Sequence, residues 1–432
     1  MYDYKNEPRR LIFAIDNKSF YASCECVELG INPLEAVLVV MSRADNTGSG
    51  LVLATSPMAK KKYGIKNNVS HGCDLPMLKE MIIVPPRMNL YIHRNLQINN
   101  IFREYVADED LHPYSIDESI LDLTKSWRLF GKTPFDVARR IQREVRDKLG
   151  LYTTVGIGDN PLLAKLALDN EAKHNESFMA YWSYQNVPDK VWKIDNLTDF
   201  WGVNKRTEKR LNKLGIYTIK ELASYDPYWL KKEFGVVGEQ LFAHSWGVDR
   251  SILTQKFHAK SKSFGNSQVL PRDYTKQRDI EIVIREIGEQ VASRIRSRHK
   301  MARNIHLYVG FGFNQISDKS GFGKSKKIEA TNLNKDIVAQ LLLMFRELYN
   351  GEIVRNISVS VGDLTDDNDL QLDIFQKADK QIKAHDLDYL VDDIRKRFGF
   401  NSLIKASSLL DAGTAKSRAS LVGGHSGGNA YD

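Results

Sequence analysis

Two apolar runs about a hundred residues apart each deliver carboxylates at their ends, and that pairing restricts the chain more than any other feature. The first is Leu11-Ile12-Phe13-Ala14-Ile15-Asp16, followed by Asn17-Lys18-Ser19-Phe20-Tyr21. The second is Tyr114-Ser115-Ile116-Asp117-Glu118-Ser119. Residues 11–16 read as a buried strand, and Tyr114–Ile116 and Ser119–Leu123 as two strands of a tight hairpin with the Asp-Glu pair at its turn. Taken singly, Asp16 would pass for a cap or a solvated turn residue. Taken together, carboxylates from separate strands form a cluster that needs cations, because two of them about 4 Å apart repel by roughly 4 kcal/mol at an effective dielectric near 20. Such a set, with basic groups nearby, is what a two-metal phosphoryl-transfer site requires.

The surrounding sequence supplies a sheet to carry that cluster. Tyr152–Ile157 reads as another buried strand, and Phe135–Lys148 as a helix with Val137, Ile141 and Val145 on one face. Strands alternating with helices predict an α/β sheet that collects acids along one rim. Residues 42–84 differ in character. A small, polar loop, Ser42–Gly50, leads to a strand at Leu51–Ala54, and Ser56 and Pro57 then cap and open a short helix that Gly64 ends. That helix carries Lys60, Lys61 and Lys62, and Lys61 shares the face of Met58.

Residues 196–250 are helical and basic at intervals. Phe200-Trp201-Gly202-Val203-Asn204 resembles a helix-hairpin-helix turn, with Asn204 expected in left-handed geometry at the place of a second glycine. From 263 to 362 the pattern is β-α-β-β-α-β: a strand at Ser263–Leu270, a helix at Lys276–Met301, strands at Ile305–Phe311 and Lys326–Glu329, a helix capped by Asn332, and a last strand at Ile357–Val361. The tail opens with an acidic, turn-rich run, Gly362–Asp369, then Gln371-Leu372-Asp373-Ile374-Phe375. A helix at Asp386–Phe398 follows, and a disordered Gly-rich end from Gly423.

Charge follows the same divisions. The net charge is +8, and residues 256–362 hold 19 Lys and Arg against 10 Asp and Glu, whereas residues 363–432 hold 9 against 12. A basic module before an acidic tail predicts a polyanionic partner gripped by that module. No apolar run approaches the roughly 20 residues needed to span a bilayer, and the N-terminus lacks a secretory layout. Cys24, Cys26 and Cys73 make no disulfide framework, and their spacing with His71 matches no standard zinc site, so a reducing cytoplasm is expected.

At these motifs the chain resembles the Y-family translesion DNA polymerases, in particular the bacterial branch that answers ultraviolet and mutagen damage. The resemblance runs from about residue 10 to 410. It implies a right-handed polymerase of mixed α/β and α+β class with a ferredoxin-like palm (1–41 and 85–180), small fingers (42–84) and a helical thumb (181–253). A linker (254–262) leads to a β-α-β-β-α-β little finger (263–362) and an acidic tail (363–432). It further implies that Asp16, Asp117 and Glu118, with the main-chain carbonyl of Asn17, hold two Mg²⁺ ions. Tyr21 is then the steric gate beneath the deoxyribose; Phe20 beside it is grouped with the nucleotide-binding residues, with its ring expected to fill core. Thr55, Lys61 and Lys165 fall at positions that approach the triphosphate, and Met58 departs from a phosphate-binding tyrosine. Gln371-Leu372-Asp373-Ile374-Phe375 resembles the pentapeptide that docks on the bacterial sliding clamp, with Leu372, Ile374 and Phe375 as anchors.

The expected activity is low-fidelity, DNA-templated synthesis by a monomer acting on primer-template DNA and dNTPs. Whether an accessory subunit of the damage response is needed stays open. A catalytically inactive, clamp-tethered adaptor at damage sites is the alternative, against which the intact acids and Tyr21 argue. A palm-fold nucleotide cyclase would need neither thumb nor little finger.

Overall fold

Alternation along the first strand decides where the rest of the N-terminal half lies. Strand β1 (Ile12–Asn17) sends Ile12 and Ala14 to one face of its sheet and Phe13 and Ile15 to the other, and all four are buried. A strand covered on both faces reads as an unbroken apolar run. The computed structural model describes residues 2–42, 50–76, 78–255, 259, 261–312, 320–367 and 378–427.

After β1, Ser19 turns the chain with a left-handed backbone (φ +50°) into α1 (Phe20–Glu28). Strands β2 (Leu38–Met41) and β3 (Val52–Thr55), helix α2 (Pro57–Tyr63) and strand β4 (Ile82–Val84) come next, the strands forming a small sheet in the order β3-β2-β4. This sheet begins at Leu38, ahead of the boundary at 42, because β2 pairs with both neighbours. Helix α2 has the expected punctuation: the Ser56 hydroxyl accepts from Ala59 N, Pro57 opens the first turn and Gly64 closes it at φ +65°.

Helix α3 (Met88–Phe102), strands β5 (Leu111–Pro113) and β6 (Glu118–Asp122), helix α4 (Pro134–Leu149), strand β7 (Thr153–Gly158), helix α5 (Pro161–Asn170) and strand β8 (Met179–Trp182) complete the main sheet. Its order is β5-β6-β1-β7-β8, antiparallel except for the β7–β8 pair. Helices α3 and α4 cover the Phe13, Ile15, Leu121 face, and α5 covers the Ile12, Ala14, Ile120 face. The thumb helices are α6 (Lys205–Lys213), α7 (Ile219–Ser224), α8 (Pro227–Phe234) and α9 (Val236–Ser245). Asn204 is extended (φ −100°), not left-handed: its side chain N-caps α6, accepting from Arg206 N and Thr207 N at 2.9 Å each. Gly202 alone supplies the positive φ in that turn, at +97°.

The C-terminal unit comprises β9 (Phe264–Tyr274), α10 (Gln277–Arg296), β10 (Lys300–Phe311), β11 (Gly321–Thr331), α11 (Asn334–Leu348) and β12 (Val354–Asp366). Its sheet order is β11-β10-β12-β9, with both helices packed on one face. Three expectations shift here. Helix α10 stops at Arg296, and His299 turns the chain at φ +51°, so Met301 belongs to a strand. Asn332 does not cap α11: its amide donates to Asp367 Oδ2 at 2.6 Å, and the first-turn amide of Asn334 donates instead to Asp388 Oδ2 at 2.8 Å. Strand β12 continues to Asp366 through residues read as an acidic turn, because Leu364 and Asp366 find partners on β10.

The tail packs back onto the molecule. Helix α12 (Ala378–Phe398) is held by the buried Arg296, whose Nε donates to Asp392 at 2.7 Å. Ala412 joins the C-terminal core, and helix α13 (Ala415–Arg418) lies against α10. Strands β13 (Leu421–Val422) and β14 (His425–Ser426) then form a two-stranded hairpin through Gly423 and Gly424, where a disordered end was expected. Asn89 N donates to Gly427 O at 2.9 Å, joining this hairpin to the start of α3. Gln371–Phe375 lie outside the described residues, as do residues 43–49 of the polar loop. Cys24 and Cys26 are buried, Cys73 is exposed and all three are free. Among the described residues no helix is long and apolar enough to cross a membrane.

Candidate active site

The period-two alternation that buries Ile12 and Ala14 against α5 carries on to Asp16, and that of Ile120 carries back to Glu118. Both carboxylates therefore leave the sheet on the α5 face, and the register makes them direct cross-strand partners. Asp117 sits one residue before β6, in the hairpin turn. The turn is Tyr114–Asp117, with β5 three residues earlier than the apolar pattern suggested. Tyr114 and Ser115 donate their amides to Glu118 O, while the Ser115 hydroxyl accepts from the amides of Asp117 and Glu118. Residues read as a strand are thus a hydrogen-bonded turn that presents Asp117, with Ser115 Oγ donating to its carboxylate at 2.6 Å.

Asn17 stitches the two segments together. Its amide N and side-chain Nδ2 both donate to Asp117 O, at 2.9 and 3.0 Å. Behind the hairpin, Asn95 Nδ2 donates to Ile116 O at 2.8 Å and Ser119 Oγ to Asn99 Oδ1 at 2.9 Å, so α3 fixes the turn from the opposite face. Thumb residue Trp201 adds an edge-on contact to Tyr114, with ring centroids 6.0 Å apart.

Cations surround the acids. Lys165 lies on α5, which seats close to the sheet because a Cβ at Gly156 would come within 2.1 Å of Ala164 O. Its ammonium donates to both oxygens of Glu118, at 2.7 and 2.9 Å, and to Asp169. It is buried beneath the carboxylates, not extended into the cleft. Lys173, which the sequence reading passed over, lies 3.2 Å from Asp16 Oδ2, 3.5 Å from Glu118 Oε1 and 2.9 Å from Asp169. Its side chain is 31% exposed against 9% for Lys165, so it faces the open side of the cluster. Burial pushes the Asp16 carboxyl up to about 6; Lys173 opposes the shift, and Glu118 and Asp117 add to it. Burial alone would lower the Lys173 ammonium, but Asp16, Asp169 and Glu118 together hold it above its usual range.

Two more lysines join this field. Burial lowers the pKa of Lys18 and of Lys60, in each case against the pull of Asp16. Lys60, on α2, therefore lies in the field of Asp16, and both it and Lys61 reach solvent. Thr55 is fully buried and spends its hydroxyl on Asn67 Oδ1 at 2.9 Å, so it presents nothing to a nucleotide here. Of the aromatic pair, Phe20 has its ring buried in the palm core, as expected of that side chain. Tyr21 keeps an exposed edge, and its phenol is raised first by burial and then by the nearby Asp117.

The donors fit hard divalent cations. Three carboxylates come from two adjoining segments, and burial, with Glu118 and Asp117 adding to it, disfavours the Asp16 anion against the pull of Lys173. Among the described residues no cluster of three or more His, Cys, Asp or Glu is gathered closely enough to hold an ion as it stands. Lys173 bridges Asp16 and Glu118, and Ser115 draws on Asp117. Mg²⁺ typically takes one or two protein carboxylates and completes its shell with water and substrate phosphate.

Comparison with known proteins places the chain in a family. The sequence model of the impB/mucB/samB family matches residues 15–169, that of the family's C-terminal domain residues 261–374, and that of its HHH motif residues 184–216. The putative UV-damage repair protein UvrX of Bacillus subtilis (strain 168) is 40% identical over 426 residues, covering 98% of this chain and all of that protein. DNA polymerase IV 2 of the same organism is 35% identical over 420 residues, covering 96% of this chain and 98% of its own. Among solved structures, the Y-family DNA polymerase chimera Dbh-Dpo4(243-245)-Dbh superposes with a TM-score of 0.66 at 21% identity, over 82% of this chain and 98% of that one, which shows a shared fold.

Proposed function

From the membership of this chain in the impB/mucB/samB family, the bacterial Y-family DNA polymerases, we propose that it extends primers across damaged template by metal-assisted nucleotidyl transfer at Asp16, Asp117 and Glu118. The chain is a DNA-directed DNA polymerase with palm, fingers, thumb and little finger. The observation that carries the chemical reading is the register: Asp16 opposite Glu118, with Asp117 adjoining and Tyr21 within its field.

Asp16, Asp117, Glu118 and the main-chain carbonyl of Asn17 would hold two Mg²⁺ ions, which when bound supply Lewis acidity to the primer 3′-hydroxyl and the departing pyrophosphate. The chain's own groups set up the rest. Lys165 and Lys173 neutralise the carboxylates in this structure, which keeps the buried anions tolerable. Lys173, on the open side, is placed to turn from Asp16 to the triphosphate as the nucleotide enters, and Lys60 and Lys18 line the same approach. Tyr21 presents its ring edge beneath the sugar and excludes a 2′-hydroxyl. The little-finger sheet leaves its helix-free face open, with Arg303, His306 and Lys327 on the basic module, and lies along duplex phosphates without reading sequence. Gln371-Leu372-Asp373-Ile374-Phe375 docks the enzyme on the sliding clamp. This rests on its composition and its place between β12 and α12.

One primer-extension experiment with Mg²⁺ tests both parts, run with and without clamp on undamaged and lesion-bearing templates. The wild type extends primers, Asp117→Ala loses synthesis by at least about 10³-fold, and Phe375→Ala keeps basal synthesis but loses clamp stimulation. No synthesis by the wild type would favour the adaptor, and equal stimulation of Phe375→Ala would remove the docking site.

A further inference from the structure

Directly behind the gate lies a polar network that the reaction itself does not use. Tyr21 and Glu25 stand one helical turn apart on α1, and Arg87 and Tyr91 one turn apart at the start of α3, so the two pairs face each other. The Tyr21 and Tyr91 rings stack with centroids 4.3 Å apart and planes 12° from parallel. Tyr91 is 0% exposed, and its hydroxyl donates to Glu25 Oε1 at 2.7 Å. Glu25, itself 3% exposed, takes Arg87 Nη2 at 2.6 Å and Nε at 3.1 Å on its other oxygen. Phe20 meets the Tyr91 ring edge-on at 6.5 Å and closes the remaining side.

An apolar side chain would fill this space at less desolvation cost than a hydroxyl and an ion pair. What the network adds is orientation. The hydroxyl bond fixes the Tyr91 ring about its axis, the Glu25–Arg87 fork fixes the acceptor, and the stacked face of Tyr91 then limits the tilt of Tyr21. Burial and the neighbouring Glu25 hold the Tyr91 phenol far above its usual range, so it remains a donor throughout the working pH range.

We infer that Tyr91, clamped by Glu25 and Arg87, is a positioning residue for sugar selection: it backs the Tyr21 ring and sets how far the gate yields to a 2′-hydroxyl. The inference rests on the reading of Tyr21 as the gate. It predicts that Tyr91→Leu, which keeps the site apolar but is smaller and loses the stacked face, lowers the ratio of kcat/KM for dNTP over rNTP by roughly 3- to 10-fold, through a lower KM for the ribonucleotide. Tyr91→Phe keeps the stack but loses the hydroxyl bond that fixes the ring, so its ratio should fall between those of wild type and Tyr91→Leu. A merely structural role would depress both substrates alike and leave the ratio unmoved.

The test is steady-state incorporation of matched dNTP and rNTP by full-length wild type, Tyr91→Leu, Tyr91→Phe, Tyr21→Ala and the double variant Tyr21→Ala with Tyr91→Leu. In the double variant, Tyr91→Leu should change the ratio no further. If Tyr91→Leu does not fold, Tyr91→Met carries the same expectation. Should Tyr21→Ala relax selection while the Tyr91 variants keep the wild-type ratio, the positioning role is overturned and the gate stands. Should Tyr21→Ala leave selection unchanged, the gate reading fails and this inference fails with it.

Discussion

Asp16 and His244 show how one physical term, burial, acts with opposite sign on an acid and a base. Burial raises Asp16, whose anion is then stabilised by Lys173. His244, packed parallel to Trp201 at 6.5 Å in the thumb, is lowered by burial below its ordinary 6.5, with Asp249 opposing. Because the folded state holds this imidazole neutral, the unfolded chain takes the proton first as pH falls. Stability is therefore full above about pH 6.5 and declines below it until the depressed folded value is reached. His244→Gln should flatten that decline: between about pH 8 and pH 5.5 it should lose less Tm than the wild type. Equal losses would exclude His244 as a source. Lys173 belongs to the same scale for another reason. In the sequence it is one lysine among many after a helix, and only its spatial approach to Asp16 distinguishes it. Asp16 itself was legible, because a strand's period fixes which face its last residue takes.

At the scale of elements, close approach matters more than propensity. Helix α5 carries Lys165 and Asp169, and it reaches the carboxylates because Gly156 and Gly158 leave no Cβ between helix and sheet. A methyl group at Gly156 would meet Ala164 O at 2.1 Å and Leu168 N at 2.4 Å. Gly156→Ala should cost roughly 1–3 kcal/mol or more by overpacking and lower activity by displacing Lys165. Gly64→Ala, at a positive φ with nothing within 4 Å, should cost only about 1 kcal/mol of backbone strain. Denaturant unfolding of the two variants decides the matter, and a Gly156→Ala cost no greater than that of Gly64→Ala would refute the close packing. Capping signals were readable for α2, while the Thr133–Asp136 box that satisfies the first turn of α4 was seen only in the structure. The hairpin phase was not, since Tyr114–Ile116 looks apolar enough for a strand and the Ser115 turn bonds that override it are a matter of geometry.

Across the whole molecule, the tail ties the two ends of the chain together. Arg418 is buried against Glu286, Gln268, Gln290 and the Thr414 hydroxyl, and Thr414 N donates to Glu286 at 2.9 Å. Past that anchor, Val422 packs on the palm core and Gly427 O accepts from Asn89 N. Arg418→Met leaves a buried carboxylate short of its partner and should lower stability by roughly 3 kcal/mol. Thermal unfolding of the full chain, compared with a chain ending before residue 406, checks this. An unchanged Tm in both would mean the strap contributes nothing to stability.

The sequence by itself determined the elements whose rules are local: buried strands from unbroken apolar runs, helix ends from Ser, Pro and Gly, and the delivery of Asp16 and of the Asp117-Glu118 pair at the ends of such runs; their cross-strand pairing came from the register. The tertiary structure alone decided which lysines answer those acids, that Lys60 lies in the field of Asp16, that Asp388 and not Asn332 serves the amide of Asn334, and that the Gly-rich end folds onto the palm. The division has a physical reason. Propensity and periodicity act over one or two turns of chain, whereas charge pairing and close packing depend on distances between residues that the sequence keeps far apart.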